Sequence, residues 1–202
     1  MSKLKLVNLD IRNYFAGILF LSAVFLSLWP LRTVIIADMF WHMNIQIPLL
    51  ITAGLFSKIP ALAFFQNLSR FNTYGLNSFI ASQVILAFWM LPISIDRAIV
   101  HWEYDFAKII SLIVCGWLIQ ISFKKTTTVI EVFFVGYFLA MLLWVGFYYI
   151  QSDVRLCNVY SQKSQQYAGG GLVVFAVVLS LIWIISKLNK KKDGYDKYLF
   201  KR

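Results

Sequence analysis

The sequence predicts an all-α fold, a polytopic transmembrane helical bundle of about six helices with both termini in the cytoplasm. Three observations lead there. Of the 202 residues, 60% are hydrophobic and only 14% charged, and a soluble domain of this size must turn about half its residues to water. Several apolar runs reach the roughly 20 residues that a helix needs to cross a bilayer. Basic residues also fall unevenly on alternate connections, as membrane topology requires.

The apolar runs predict helices over Asn13–Trp29, Leu31–Phe56, Asn77–Leu91, Phe106–Phe123, Val129–Ile150 and Tyr167–Lys187. Pro30 separates the first two, because proline has no amide proton and disfavours helix in the residue before it. The second run is long enough to tilt or bend, and Pro48 is the expected place. Between the third and fourth, Ile93–Asp105 alternates apolar and charged residues, a pattern for a partial helix along the interface. Most tryptophans (Trp29, Trp41, Trp89, Trp102 and Trp144 among them) fall near predicted helix ends, where aromatic side chains anchor to headgroups. With no internal repeat and no low-complexity linker, residues 1–202 read as one domain with a basic tail at 188–202.

With the N-terminus inside, the inner side holds Lys3, Lys5, Arg12, Lys58, Arg70, Lys124, Lys125 and the seven basic residues that follow Ile185, fourteen in all. The outer side holds five, Arg32, Arg97, Lys108, Arg155 and Lys163. That bias puts both termini of a multi-pass membrane protein in the cytoplasm, with its tail drawn to anionic headgroups. The net charge of +10 comes with no basic groove interleaved with aromatic residues, which argues against nucleic acid as a partner. The basic start before an apolar segment lacks a small-x-small cleavage site and reads as an uncleaved first helix.

Enzyme constellations are missing. The sequence has no phosphate loop, dinucleotide fingerprint or HExxH zinc motif. A membrane transpeptidase of the exosortase kind needs Cys, Arg and His in chain order, and no histidine follows Arg155.

What chemistry there is gathers in "DMFWHMNIQIP". Asp38, His42 and Gln46, each four apart, project from one helical face, with Met39 and Met43 on the adjacent stripe. At this depth, about 15 Å below the outer end, such a face points into the bundle or a wet cavity. It suits two roles. Imidazole and thioether are ligands for cuprous copper, with Asp38 orienting the His42 ring; alternatively the polar groups join helices and the methionines fill gaps. A single straight helix cannot converge His42, Met39 and Met43 on one ion, so a further ligand would come from His101 or Cys157. Arg155 lies close enough in sequence to favour a Cys157 thiolate, whereas Cys115 reads as a small buried apolar residue. In "QQYAGGGLV", Gly169, Gly170 and Gly171 predict close packing against another helix, bringing Gln165 and Gln166 toward the second helix.

His42-Met43 followed by an apolar stretch and Gly54, Trp89-Met90-Leu91-Pro92 with Asp96-Arg97-Ala98, and Gln165-Gln166-Tyr167-Ala168-Gly169-Gly170 together resemble the CtaG family of cytochrome c oxidase assembly factors, associated with caa-type oxidases. The order holds from about residue 28 to 185. The chain departs from the family's pattern at Gln46 and Gln165, and resembles a reduced relative. The resemblance implies a non-enzymatic inner-membrane assembly factor that helps deliver copper to a haem-copper oxidase, with oxidase subunits or a periplasmic copper chaperone as partners. The alternatives are an accessory subunit of a membrane complex, whose polar face only packs, and a small transporter whose Asp38–His42 face lines a substrate or proton path.

Overall fold

The computed structural model describes residues 31–59 and 72–199, isolated positions at 17, 18, 21, 22 and 25, and side chains in the last helix as far as Asn189. Apart from those isolated positions, the predicted helix Asn13–Trp29 lies outside the described residues, as does most of the connection that follows Phe56. Seven helical elements are described: α1 Leu31–Ile35, α2 Met39–Phe56, α3 Leu76–Trp89, α4 Pro92–Val100, α5 Trp102–Lys125, α6 Thr128–Gln151 and α7 Gln162–Leu199. Four of them, α2, α5, α6 and α7 through Asn189, are long and apolar enough to cross a membrane. The α3–α4 pair, bent by 70°, makes a fifth span if it is taken as one. The described residues hold helix and no strand, and the chain is a multi-pass membrane protein.

The second predicted helix is not continuous. Asp38 adopts extended backbone and its carboxylate accepts the Phe40 N–H, the geometry of an N-cap, so α1 ends and α2 begins afresh. Pro48 acts one turn earlier than its own position. It cannot donate to the Asn44 carbonyl, and the ladder widens just before it: the Ile47 N–H reaches His42 O, and His42–Gln46 form a π-helical turn. Pro92 opens α4 as a first-turn proline should, with Leu91 extended before it. The partial helix expected over Ile93–Asp105 is found over Pro92–Val100, while residues 102–105 open the next helix.

Two boundaries differ from expectation for capping reasons. α5 starts at Trp102 instead of Phe106, since Glu103 and Asp105 favour a first turn. α7 starts at Gln162 instead of Tyr167 because the Ser161 hydroxyl accepts the Ser164 N–H. Trp89 also departs from the anchor reading: it is buried, and its Nε1 donates to Ser111 Oγ at 2.7 Å. Trp41, Trp102 and Trp144 are exposed as anchors require.

Small residues set the helix spacing. Gly54 on α2 and Gly116 on α5 lie so close that a Cβ on either would collide with the other helix's backbone, at Ile113 O and Ile51 O respectively. Gly146 on α6 and Gly169 on α7 form a second crossing, where added Cβ atoms would sit 2.9 and 2.6 Å from the opposing carbonyl oxygens. Without a hydrophobic driving force between helices in lipid, such close approach supplies the packing. Gly171 faces Asn44, whereas Gly170 has nothing within 4 Å. The three glycines are therefore not equivalent, and the close contact expected at Gly170 belongs to its neighbours. Gly116→Ala and Gly169→Ala should each destabilise the folded chain by about 1–3 kcal/mol through overpacking, while Gly170→Leu should stay within about 0.5 kcal/mol of wild type. Thermal unfolding in detergent, followed by size-exclusion, gives the ranking; a Gly170→Leu loss equal to that of Gly169→Ala would contradict it.

Candidate functional site

The break between α1 and α2 builds the site. In a continuous helix the Ile36 carbonyl would accept the Phe40 N–H; Asp38 takes that donor, and Ile36 O instead accepts the Tyr160 hydroxyl at 2.9 Å. The Met39 N–H is likewise diverted to Ser164 Oγ, which itself donates to Asp38 at 3.0 Å. The start of α2 is thereby tied to the segment leading into α7.

One turn on, His42 is completely buried. Its Nδ1 lies 2.8 Å from Tyr160 Oη and its Nε2 lies 2.8 Å from Lys108 Nζ. Because the Tyr160 O–H donates to Ile36, the phenol oxygen accepts at His42, so Nδ1 carries the proton and Nε2 offers a lone pair to the ammonium. Lys108, on α5 and 1% exposed, also donates to Gln46 Oε1 at 3.3 Å and is ion-paired with Asp105 Oδ1 at 2.7 Å. The ammonium thus meets an imidazole, an amide oxygen and a carboxylate. The second Asp105 oxygen pairs with Arg32 Nε at 2.6 Å, and Arg32 reaches Ala98 O on α4. Arg32, with 23% of its side chain exposed, is the wet end of a chain that is otherwise dry.

The π-helical turn gives this arrangement its width: it places both His42 and Gln46 against one lysine. Met39 and Met43 face elsewhere, into an apolar cluster with Met90, Tyr149, Leu172 and Ala176.

A second set of contacts closes the same end of the bundle. The segment 152–161 is fastened by the Asn158 N–H to Asp96 Oδ2 at 2.7 Å and by the Leu156 N–H to Gln165 Oε1 at 2.9 Å. Cys157 is buried beneath it, its Sγ 3.9 Å from Pro92 O. Burial, and then the Asp96 carboxylate, push the Cys157 thiol up to about 12. Burial foremost, followed by Cys157, Asp38 and Asp96, also raises Tyr160 well above the ordinary phenol range.

Several expectations change here. Asp38 does not orient His42; it caps α2, and Tyr160 holds the ring. Arg155 does not make Cys157 a thiolate, because its guanidinium donates to Asn158 O while the sulfur sits against a carbonyl and an acid. His101 is exposed beside Tyr104. Gln165 is buried but bonds to the 152–161 segment and to Tyr149 O, and Gln166 is exposed, so neither turns to α2. Gln46 does join the cluster. Cys115 is buried, as a small apolar residue would be.

These donors do not fit cuprous copper as a cargo. The one buried imidazole has both nitrogens engaged, with its free lone pair directed at a cation, Met39 and Met43 lie in the apolar cluster, and the Cys157 sulfur sits against Pro92 O. Among the described residues, no three His, Cys, Asp or Glu side chains are placed to hold a metal ion.

Arg32, Asp105, Lys108 and Tyr160 are the functional candidates that spacing on α2 alone does not find. One signal was present: Asp105 and Lys108 stand three apart at the head of an apolar run, the spacing of an intrahelical ion pair, and a charge inside a membrane helix demands a partner. Tyr160 gives no local sign. Compared with protein-family models, characterised proteins and solved structures, the chain matches none.

The thiol environment is testable by pH. In a Cys115→Ala background at pH 8, about one Cys157 in ten thousand is thiolate if the thiol titrates near 12. Maleimide labelling of the folded protein should rise about tenfold per pH unit from 7 to 10 with no levelling. A plateau near the ordinary thiol value would contradict the assignment.

Proposed function

We propose that the chain is a small ion-coupled transporter of a bacterial inner membrane, with both termini cytoplasmic and the Arg32–Asp105–Lys108–His42 cluster toward the outer side. The fourteen-to-five distribution of basic residues supports the orientation. One observation carries the function: Lys108, buried to 1% exposure inside an apolar span, is ion-paired to Asp105 and joined to His42. Ionisable groups at membrane depth are costly and mark substrate paths or proton relays. Transport needs no covalent step, so no nucleophile or resident cofactor enters the account.

A second function, oxidase assembly without a copper site of its own, draws on a different observation. Met43, Met90 and Ala168, one from each of the three segments that resemble the CtaG family, belong to one apolar cluster. It leaves the charge on Lys108 without a task, and for that reason it ranks second.

Purified full-length protein in liposomes on a solid-supported membrane tests transport. A protein-dependent current under a pH, Na+, K+ or Cl− gradient is expected, reduced at least tenfold in Lys108→Met. No current under any of these gradients would favour an accessory role.

A further inference from the structure

We propose that Lys108, His42 and Tyr160 form a one-proton relay. Loss of a proton from Lys108 is carried by a tautomer switch in the His42 ring to the Tyr160 hydroxyl, and the ion coupled to transport is the proton. The proposal deepens the transporter reading and takes its purpose from it. The ring chemistry stands on its own geometry.

The two protonation states balance. In the first, the Lys108 ammonium donates to His42 Nε2 and Gln46 Oε1 and is ion-paired with Asp105; His42 Nδ1–H donates to Tyr160 Oη, and Tyr160 O–H donates to Ile36 O. In the transfer, the Nζ–H bond facing the ring breaks and Nε2–H forms. Nδ1–H breaks as its proton passes to Tyr160 Oη, and the original Tyr160 hydroxyl proton leaves to water on the Ile36 side. In the second state the Lys108 amine accepts Nε2–H with its lone pair and keeps Gln46 and Asp105 as acceptors, while the new Tyr160 O–H donates to Nδ1. Both His42 nitrogens stay hydrogen-bonded in either state, which matters because an unpaired buried group is costly. One proton has left, from Lys108 in the balance and from Tyr160 in place.

The exit side of the relay is the break between α1 and α2. Tyr160 itself is 3% exposed, but its acceptor Ile36 is partly exposed and the next residue, Ala37, lies exposed in the break between α1 and α2. Tyr160 relays through its hydroxyl and not as a phenolate, since burial, Cys157 and the Asp38 and Asp96 carboxylates hold it protonated.

The charges around the relay set its poise. Arg32 on α1 and Asp105 on α5 meet at Lys108, Asp38 lies before α2, and Asp96 lies on α4 under the 152–161 segment. With Lys108 protonated, Arg32 and Lys108 against Asp105 leave the ion-paired trio at +1; with Lys108 neutral the trio balances. Releasing one proton therefore removes the uncompensated charge of that trio from a low-dielectric site. A purely structural Lys–Asp pair would hold the ring in one tautomer at every pH.

The experiment is 15N NMR of the full chain in lipid, labelled at histidine, with His101→Asn so that His42 alone is observed. The expected result is Nδ1–H at low pH and Nε2–H at high pH, with the switch lost in Lys108→Met. A single tautomer from pH 5 to 10 would overturn the relay, as would a doubly protonated ring at low pH or a switch that survives Lys108→Met. If Lys108→Met fails to fold, the pH series on the His101→Asn protein decides alone. Transport current without a tautomer switch would leave the transporter standing and remove the relay; a switch without current would do the reverse.

Discussion

Asp105 sits between two cations, Arg32 and Lys108, in a place where water is scarce, and the architecture of that end of the bundle follows from keeping it there. A buried carboxylate with one partner removed costs about 3–5 kcal/mol, much more than an exposed pair. Each cation therefore fixes the element that bears it. Arg32 holds α1 against α5 and, through Ala98 O, against α4. Lys108 holds α5 against the π-helical turn of α2 through His42 and Gln46. His42 in turn needs Tyr160, which needs an acceptor, and the interrupted helix at Asp38 supplies Ile36 O.

The glycine crossings serve the same end by setting distance. With Gly54 and Gly116 in backbone contact, α2 and α5 lie close enough for the polar atoms of one helix to meet those of the other. The Gly146–Gly169 contact does the same for α6 and α7 and keeps the head of α7, with Ser164 and Gln165, beside α2 and the 152–161 segment. At the opposite end Glu131 joins α6 to α7 through Lys187 and Trp183. The two ends differ in kind: that ion pair is partly exposed, whereas Lys108 is not.

Helices with strong apolar runs were legible in the sequence because composition alone dictates them, and the break between α3 and α4 was legible because the apolar run gives way to the alternating pattern of Ile93–Asp105. The polar face of α2 was also legible in outline: His42 and Gln46 do point into the bundle. Its partners were not. Tyr160 and Lys108 reach His42 from 118 and 66 residues away, and no local pattern announces such a meeting. Asp38 misled for an instructive reason. Its spacing from His42 is that of a helical pair, but aspartate is also a strong N-cap former, and its carboxylate turns back to the Phe40 N–H and the Ser164 hydroxyl instead of the His42 ring. Gly170 likewise has the right neighbours and the wrong face, a distinction of about 100° that spacing within a glycine run does not resolve.

The central claim is that Asp105 is the hub of a desolvated charge cluster and not an interfacial acid near two bases. Thermal unfolding of Asp105→Asn beside the double variant Asp105→Asn/Lys108→Met tests it most directly. If the pair is buried as described, the single variant strands two cations, costs about 3–5 kcal/mol and lowers Tm by roughly 10 °C, and the double variant recovers most of that loss. A single variant that melts with wild type, or a double variant that merely adds a second loss, would contradict the account.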